Sequence, residues 1–228
     1  MINPDRGNAV GVFSSYPMKL NAVALTGGIA TGKSTSLKIF QSLVPEIVIF
    51  DADRCVGSLY QDPQVLDELV ESFGRQVVHA DKGIDKAYLR QRAFADQGVK
   101  QVLEQIFHPR VLQECLALLE KTAKKSVSRL FVADIPLLFE SGFDFSQSLN
   151  LVVATSRKTQ IRRLKNRNAW DDDTVEGVLN SQMPIEAKLA LADVVFWNEG
   201  PLEILHAQCR RFVQSLEIAP ITQESLRA

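Results

Sequence analysis

Eight consecutive residues, Gly27-Gly28-Ile29-Ala30-Thr31-Gly32-Lys33-Ser34, follow the spacing G-x-x-x-x-G-K-[ST]. Glycines let a backbone curl until successive N–H groups converge on the oxygens of one anion. A helix starting at the end of such a loop adds its positive end. The lysine reaches terminal phosphates as a point charge, and the serine hydroxyl is a ligand for Mg²⁺. Gly28, Ile29, Ala30, Thr31, Gly32, Lys33, Ser34 and Thr35 are therefore expected to hold ATP phosphates. Ser34 is expected on the metal, and Lys33 also in the chemistry.

Acidic candidates follow two apolar runs. Asp51 and Asp53 come directly after Ile47–Phe50, at the end of a predicted strand. Ligand crevices of parallel sheets open at those ends. A carboxylate there can orient an acceptor hydroxyl and take its proton, which suits Asp53. Asp53 could equally cap the segment starting at Arg54, and Asp51 could orient metal-bound water. Asp134 ends Phe131-Val132-Ala133 and reads either as part of a metal shell or as a loop cap.

Basic candidates cluster further on. Arg157, Lys158, Arg162, Arg163, Lys165 and Arg167 fall within eleven residues that contain no acid. Such runs are often solvated helix faces. Like charges on one face nevertheless repel unless an anion joins them. Arg163 and Arg167 stand four apart and predict a lid whose arginines clamp the transferred phosphoryl group. Arg90 would meet either a substrate phosphate or a helix acid, and His108 either caps or contacts substrate.

The elements that must position these groups alternate. Strands are predicted near residues 22, 47, 129, 149 and 194, the first separated from the second by the glycine loop and a helix. That order argues for a parallel α/β sheet. Asp62-Pro63, Asp85 and Ser156 read as helix starts. From 62 to 125 the pattern is helical with no strand, and Pro109 is expected to open a long helix. The predicted fold is α/β: a five-stranded parallel P-loop core with a helical acceptor-binding insertion and a helical lid. Its segments are a flexible leader (1–18), core (19–61, 126–155 and 186–218), insertion (62–125), lid (156–185) and tail (219–228).

Composition bounds the rest. The chain has 228 residues, 46% hydrophobic and 23% charged, with formal net charge −1. A general nucleic-acid binder is disfavoured by that balance. Cys55, Cys115 and Cys209 form no CxxC, so neither a zinc knuckle nor a disulfide framework is signalled, and each reads as a small core residue. No apolar run approaches the ~18 residues of a membrane span. Residues 1–18 lack the apolar stretch of a signal peptide. A cytoplasmic protein is expected, with no membrane and no obligate protein partner.

Three classes carry such a loop: small-molecule kinases, GTP switches and nucleic-acid or motor ATPases. The guanine-specifying N-K-x-D is absent, although Asn198 follows the last strand. An insertion and a basic lid favour the kinase class, leaving a nucleotide-dependent switch as the alternative.

The ordered set resembles one family, dephospho-CoA kinase. Leu25 to Ser34 and Asp51-Ala52-Asp53 carry the resemblance, with Leu89-Arg90, Phe94 and His108-Pro109. Pro136-Leu137-Leu138-Phe139-Glu140 is similar to the family's P-L-L-F-E. Gln160, Arg163, Leu164 and Arg167 are similar to its Q-x-x-R-L-x-x-R helix, and Gln182, the stretch Ala192-Asp193-Val194 to Asn198, and Gly200 to its last motifs. The resemblance implies phosphorylation by ATP of the ribose 3′-hydroxyl of dephospho-CoA. It implies Asp53 as base, an acceptor site with Asp51, Arg90, His108 and Leu137, and Asn198 near adenine. Two places depart. Arg167-Asn168-Ala169 stands where the family usually has Arg-Asp-Gly, and Val178 where it often has arginine. Another small-molecule P-loop kinase remains the near alternative.

Overall fold

The computed structural model describes residues 20–79, 83–125 and 128–216. The expected leader 1–18 and tail 219–228 lie outside the described residues. In chain order the elements are β1 (Asn21–Gly27), α1 (Lys33–Leu43), β2 (Val48–Asp51), α2 (Ala52–Leu59), α3 (Pro63–Phe73), β3 (Val78–His79) and β4 (Gly83–Ile84). There follow α4 (Lys86–Ala95), α5 (Gln97–Lys124), β5 (Leu130–Asp134), β6 (Leu149–Ala154), α6 (Arg157–Asn168), α7 (Asp172–Asn180), α8 (Ile185–Ala190), β7 (Val194–Trp197) and α9 (Leu202–Ser215). The chain divides into two compact units, Asp51–Ala117 and the remainder.

The larger unit is built on a five-stranded sheet ordered β2-β5-β1-β6-β7. β1 is central, parallel to β5 through Leu25↔Asp134 and to β6 through Gly27↔Val153. Its apolar stretch Val23-Ala24-Leu25 is fully buried. Covered strands of parallel sheets read as continuous apolar runs, which is why this one is plain in the sequence. Strands on both sides of β1 make its C-terminal end the point where the strand order reverses, the usual place for a ligand crevice. Phe40 of α1, Phe196 of β7 and Phe212 of α9 meet with ring centroids 5.6–5.9 Å apart. Edge strand β7 is closed at one residue by a side chain: Trp197 N–H donates to Gln208 Oε1 at 2.9 Å, and Gln208 Nε2 donates to Trp197 O at 3.0 Å.

The second unit gathers α3, α4 and the first turns of α5 around Val65, Leu69, Phe73, Leu89, Val99, Ile106 and Phe107. Asp62 and Asp85 cap their helices, accepting from Gln64 N and Tyr88 N. Two expectations are corrected here. The segment is not wholly helical: β3 and β4 pair antiparallel as Val78↔Ile84 and His79↔Gly83. Two-residue strands are too short to show alternation in a sequence. Nor does Pro109 open a helix, since it lies inside the 28-residue α5. Proline removes one N–H and crowds the carbonyl four residues back. Beside the proline, Arg110 Nη1 donates to Ile106 O at 2.6 Å and Nη2 to Glu68 Oε1 at 2.5 Å. The apolar face stays in phase through the proline, with Ile106, Phe107, Val111 and Cys115 all buried.

Cys115 and Cys209 are fully buried, and burial pushes both thiols up to about 12. Cys55 is only half-buried, so it departs from the core reading. Among the described residues no helix is long and apolar enough to cross a membrane.

Ser156 caps α6 through Thr159 N, and Ala169 closes it at φ 53, its N–H on Lys165 O at 3.0 Å. Left-handed backbone costs an L-residue with a Cβ about 1–2 kcal/mol, whereas glycine adopts it freely. The family's glycine at this place thus has a conformational reason, and this chain keeps the turn without it. Ala169→Gly is expected to stabilise the fold by about 0.5–1 kcal/mol, read as a higher denaturation midpoint at unchanged slope in urea.

Candidate active site

The loop between β1 and α1 is shaped by contacts on its reverse side. Ala30 takes φ 60 and Gly32 φ 105. A Cβ on Gly32 would lie 2.1 Å from Asn198 Nδ2, so only glycine fits there. A Cβ on Gly28 would lie 2.8 Å from Gln160 Nε2. The left-handed turns direct the carbonyls of Ala30 and Thr31 to the rear. Asn198 Nδ2 donates to Thr31 O at 2.7 Å, and Arg163 Nη1 to Ala30 O and Thr31 O, each at 3.1 Å. The Ile29 peptide is bound at both ends: Gln160 Nε2 donates to its O at 2.8 Å, and its N–H donates to Gln182 Oε1 at 2.9 Å. Thr31 Oγ1 closes the turn on Gly28 O at 2.8 Å.

Lys33 and Ser34 are the first two residues of α1, whose opening N–H groups lack partners within the helix. The Lys33 ammonium is paired with Asp134 at the end of β5, both side chains being largely buried. Asp134 therefore belongs to this site, where the sequence left it between two roles. Ser34 is exposed. A serine hydroxyl is an oxygen donor of the kind that suits Mg²⁺.

Beyond β5, the chain turns through Pro136 to Glu140. Thr26 Oγ1 and Lys188 Nζ both donate to Pro136 O at 3.0 Å. Lys188, fully buried, also pairs with Glu140 Oε1 at 2.9 Å, which accepts Met183 N at 3.0 Å. A buried ammonium needs such partners. Leu137 is left 43% exposed on this turn. A cavity of about 160 Å³ opens beside Gly28, lined by Gln160, Gln182, Arg157 and Glu186 among others.

Glu199, two residues past β7, was not singled out from sequence. Its Oε2 accepts Thr155 Oγ1 at 2.5 Å and Ser156 N at 2.8 Å. Its Oε1 accepts Thr159 Oγ1 at 2.5 Å and Ser156 Oγ at 3.0 Å. Those bonds, Thr155 first, hold the carboxyl down at about 2. The available signal was a hydroxyl cluster, Thr155-Ser156 and Thr159, at a helix start.

The structure thus assembles Gly28 to Thr35, Asn198 and Arg163 at one place. Asn198 and Arg163 meet loop carbonyls there, whereas Arg167 stands exposed with Nε 3.3 Å from Asn168 Oδ1. Asp51, Asp53, Arg90 and His108 belong to the other unit. Asp51 caps α2, accepting Arg54 N at 2.9 Å, so Asp53 is not the cap and lies exposed in the first turn. Arg90 is exposed on α4, and its charge acts on Tyr60. His108 is half-buried on α5.

A phosphate loop on the central strand of this parallel sheet, gripped from behind by a basic helix, is the nucleotide core of a P-loop kinase. A family model described as dephospho-CoA kinase matches residues 21–203. The chain is 33% identical to the dephospho-CoA kinase of Corynebacterium glutamicum over 195 residues, 85% of this chain and 96% of that one. Its structure is similar to TT1252 of Thermus thermophilus, with TM-score 0.74 and 27% identity over 89% of this chain and 100% of that one. Similar too is the dephospho-CoA kinase of Campylobacter jejuni, with TM-score 0.64 and 27% identity over 86% and 96%. The chain belongs to the dephospho-CoA kinase family.

Glu199 gives a pH prediction. A carboxylate depressed by folding stabilises the native state above its ordinary value, and that contribution is lost as pH falls towards the folded value. For Glu199 the window runs from 4.5 down to about 2. The melting-temperature gap between the native chain and Glu199→Gln should be widest above about pH 5 and close only as pH falls through about 2.

Proposed function

We propose that the chain transfers the γ-phosphoryl group of ATP to the ribose 3′-hydroxyl of dephospho-CoA, giving CoA and ADP, the last step of coenzyme A synthesis. The observation that carries this reading is the phosphate loop held from behind by Arg163 and Asn198, in a chain whose family match spans residues 21–203. Loop N–H groups and the start of α1 receive the phosphates. The Lys33 ammonium exchanges Asp134 for the β- and γ-phosphates. Arg163 lends its charge beside the loop, and the exposed Arg167 reaches the transferred group.

Ser34 would hold Mg²⁺, with Asp134 in its outer shell. Bound there, the ion would neutralise charge developing on the phosphates. Asp53, free of capping duty, takes the proton of the acceptor hydroxyl. Asp51, Arg90, His108 and Leu137 bind the acceptor, and Asn198 stands by the adenine. A cytoplasmic setting goes with the reading, since the three cysteines are free thiols.

The test is a product assay. The chain with Mg-ATP and dephospho-CoA should form CoA, read as the mass of one added phosphoryl group, and nucleoside monophosphates offered in parallel should stay unchanged. Lys33→Ala should abolish turnover, and Asp53→Asn should lower kcat by roughly 10²–10⁴-fold. Transfer to a different acceptor would overturn the substrate assignment. A loss under about threefold would remove Asp53 from the role of base.

A further inference from the structure

The phosphate loop takes its shape from groups that are themselves mounted elsewhere. Asn198 follows β7, and Arg163 projects from the second turn of α6. Both reach the carbonyls of Ala30 and Thr31, so the loop can be no better defined than the distance between the end of β7 and the start of α6. One carboxylate sets that distance. Glu199, the neighbour of Asn198, takes four donors from Thr155, Ser156 and Thr159 at 2.5–3.0 Å. The two strand ends are parallel neighbours, with Ala154↔Trp197 the last registered pair and Asn198 N–H on Ala154 O at 2.7 Å. Beyond that pair the ladder stops, and Glu199 continues the junction with side-chain bonds.

The junction also serves the one carbonyl that both arms share. Arg163 Nη2 donates to Asn198 O at 3.1 Å, and Thr155 Oγ1 lies 2.9 Å from the same oxygen. Thr155 has a single hydroxyl proton, and the carboxylate at 2.5 Å is the stronger acceptor. Arg163 is thereby the donor left for Asn198 O, which ties α6, the end of β7 and the loop into one chain of bonds.

We propose that Glu199 is a positioning residue for ATP, holding the first turn of α6 against the end of β7 so that Arg163 and Asn198 keep the phosphate loop in its binding shape. This rests on the ATP-kinase reading above. These hydrogen bonds of Glu199 go to Thr155, Ser156 and Thr159, outside the loop. Loss of Glu199 lets Arg163 and Asn198 drift from the carbonyls of Ala30 and Thr31, and the N–H groups that meet phosphate drift with them. The acceptor is bound by other residues, so its affinity is independent of Glu199.

The variants are Glu199→Ala, Glu199→Gln and Thr159→Val. Glutamine keeps one oxygen for Ser156 N–H and the Thr155 hydroxyl, and the hydroxyls of Ser156 and Thr159 can reverse to accept from its amide, so it is the conservative rescue. ATP affinity is measured by calorimetry without acceptor, and KM for each substrate by CoA formation. Glu199→Ala should weaken ATP binding and raise the KM for ATP on the order of tenfold. The KM for dephospho-CoA should stay within about twofold. Glu199→Gln should fall between alanine and the native chain. Thr159→Val, which removes one of the four donors without leaving a carboxylate unbound, should weaken ATP a few-fold and keeps the test open if the alanine variant does not fold. Unchanged ATP affinity in folded variants overturns the proposal, as does an equal rise in both KM values or a loss confined to the fraction of active protein. Calorimetry separates the two readings: a protein that binds ATP yet makes no CoA rejects the acceptor assignment, while the ranking of the variants still judges Glu199.

Discussion

A loop that turns its N–H groups towards an anion must turn its carbonyl oxygens the other way, and buried carbonyls left without donors are costly. Much of the larger unit answers that constraint. Asn198, Arg163 and Gln160 supply the donors for Thr31, Ala30 and Ile29, and each comes from a different stretch or turn of the chain. The glycines at 28 and 32 follow from it, because the donors stand where a Cβ would be. So does the left-handed Ala30, a conformation costing about 1–2 kcal/mol that persists only where surroundings enforce it. The basic helix α6 is thus divided in use. Its inner arginine completes the architecture of the loop, and an arginine one turn later remains in solvent.

How much of this could be read from the chain depended on sequence separation. The phosphate loop is eight adjacent residues, and its chemistry is written in their order. Helix caps at Asp62, Asp85 and Ser156 involve partners two or three residues away and were equally plain. The three inner strands β5, β1 and β6 were visible because buried parallel strands are unbroken apolar runs. Glu199 was invisible because its donors lie 40–44 residues away. Lys188 was invisible for the same reason, since Pro136 is 52 residues distant and an isolated lysine looks solvated. Arg163 is intermediate: spacing placed it on one face with Arg167, but spacing cannot tell a carbonyl from a phosphate as the partner.

Local rules also failed in the smaller unit in two instructive ways. Proline ordinarily ends a helix, yet α5 passes through Pro109, where an arginine side chain offers a donor to a nearby carbonyl and the apolar face does not change phase. The β3–β4 pair has too few residues to display a period at all. Asp51 and Asp53 show the opposite case, in which structure sharpened a choice that sequence left open: the cap is Asp51, which leaves the carboxylate of Asp53 without that duty.

Gln208 does more than tie α9 to the sheet. β7 is an edge, and an edge strand offers unsatisfied N–H and C=O groups to any extended chain that passes. At Trp197 those two groups are already engaged by a carboxamide, the side-chain imitation of a peptide unit. An incoming strand would find that rung of the ladder occupied and would have to displace an intramolecular partner to continue the sheet. Val195 and Trp197 are both substantially exposed on the same strand, so this edge is also apolar. A single glutamine there guards the protein against self-association without adding any charge to its surface.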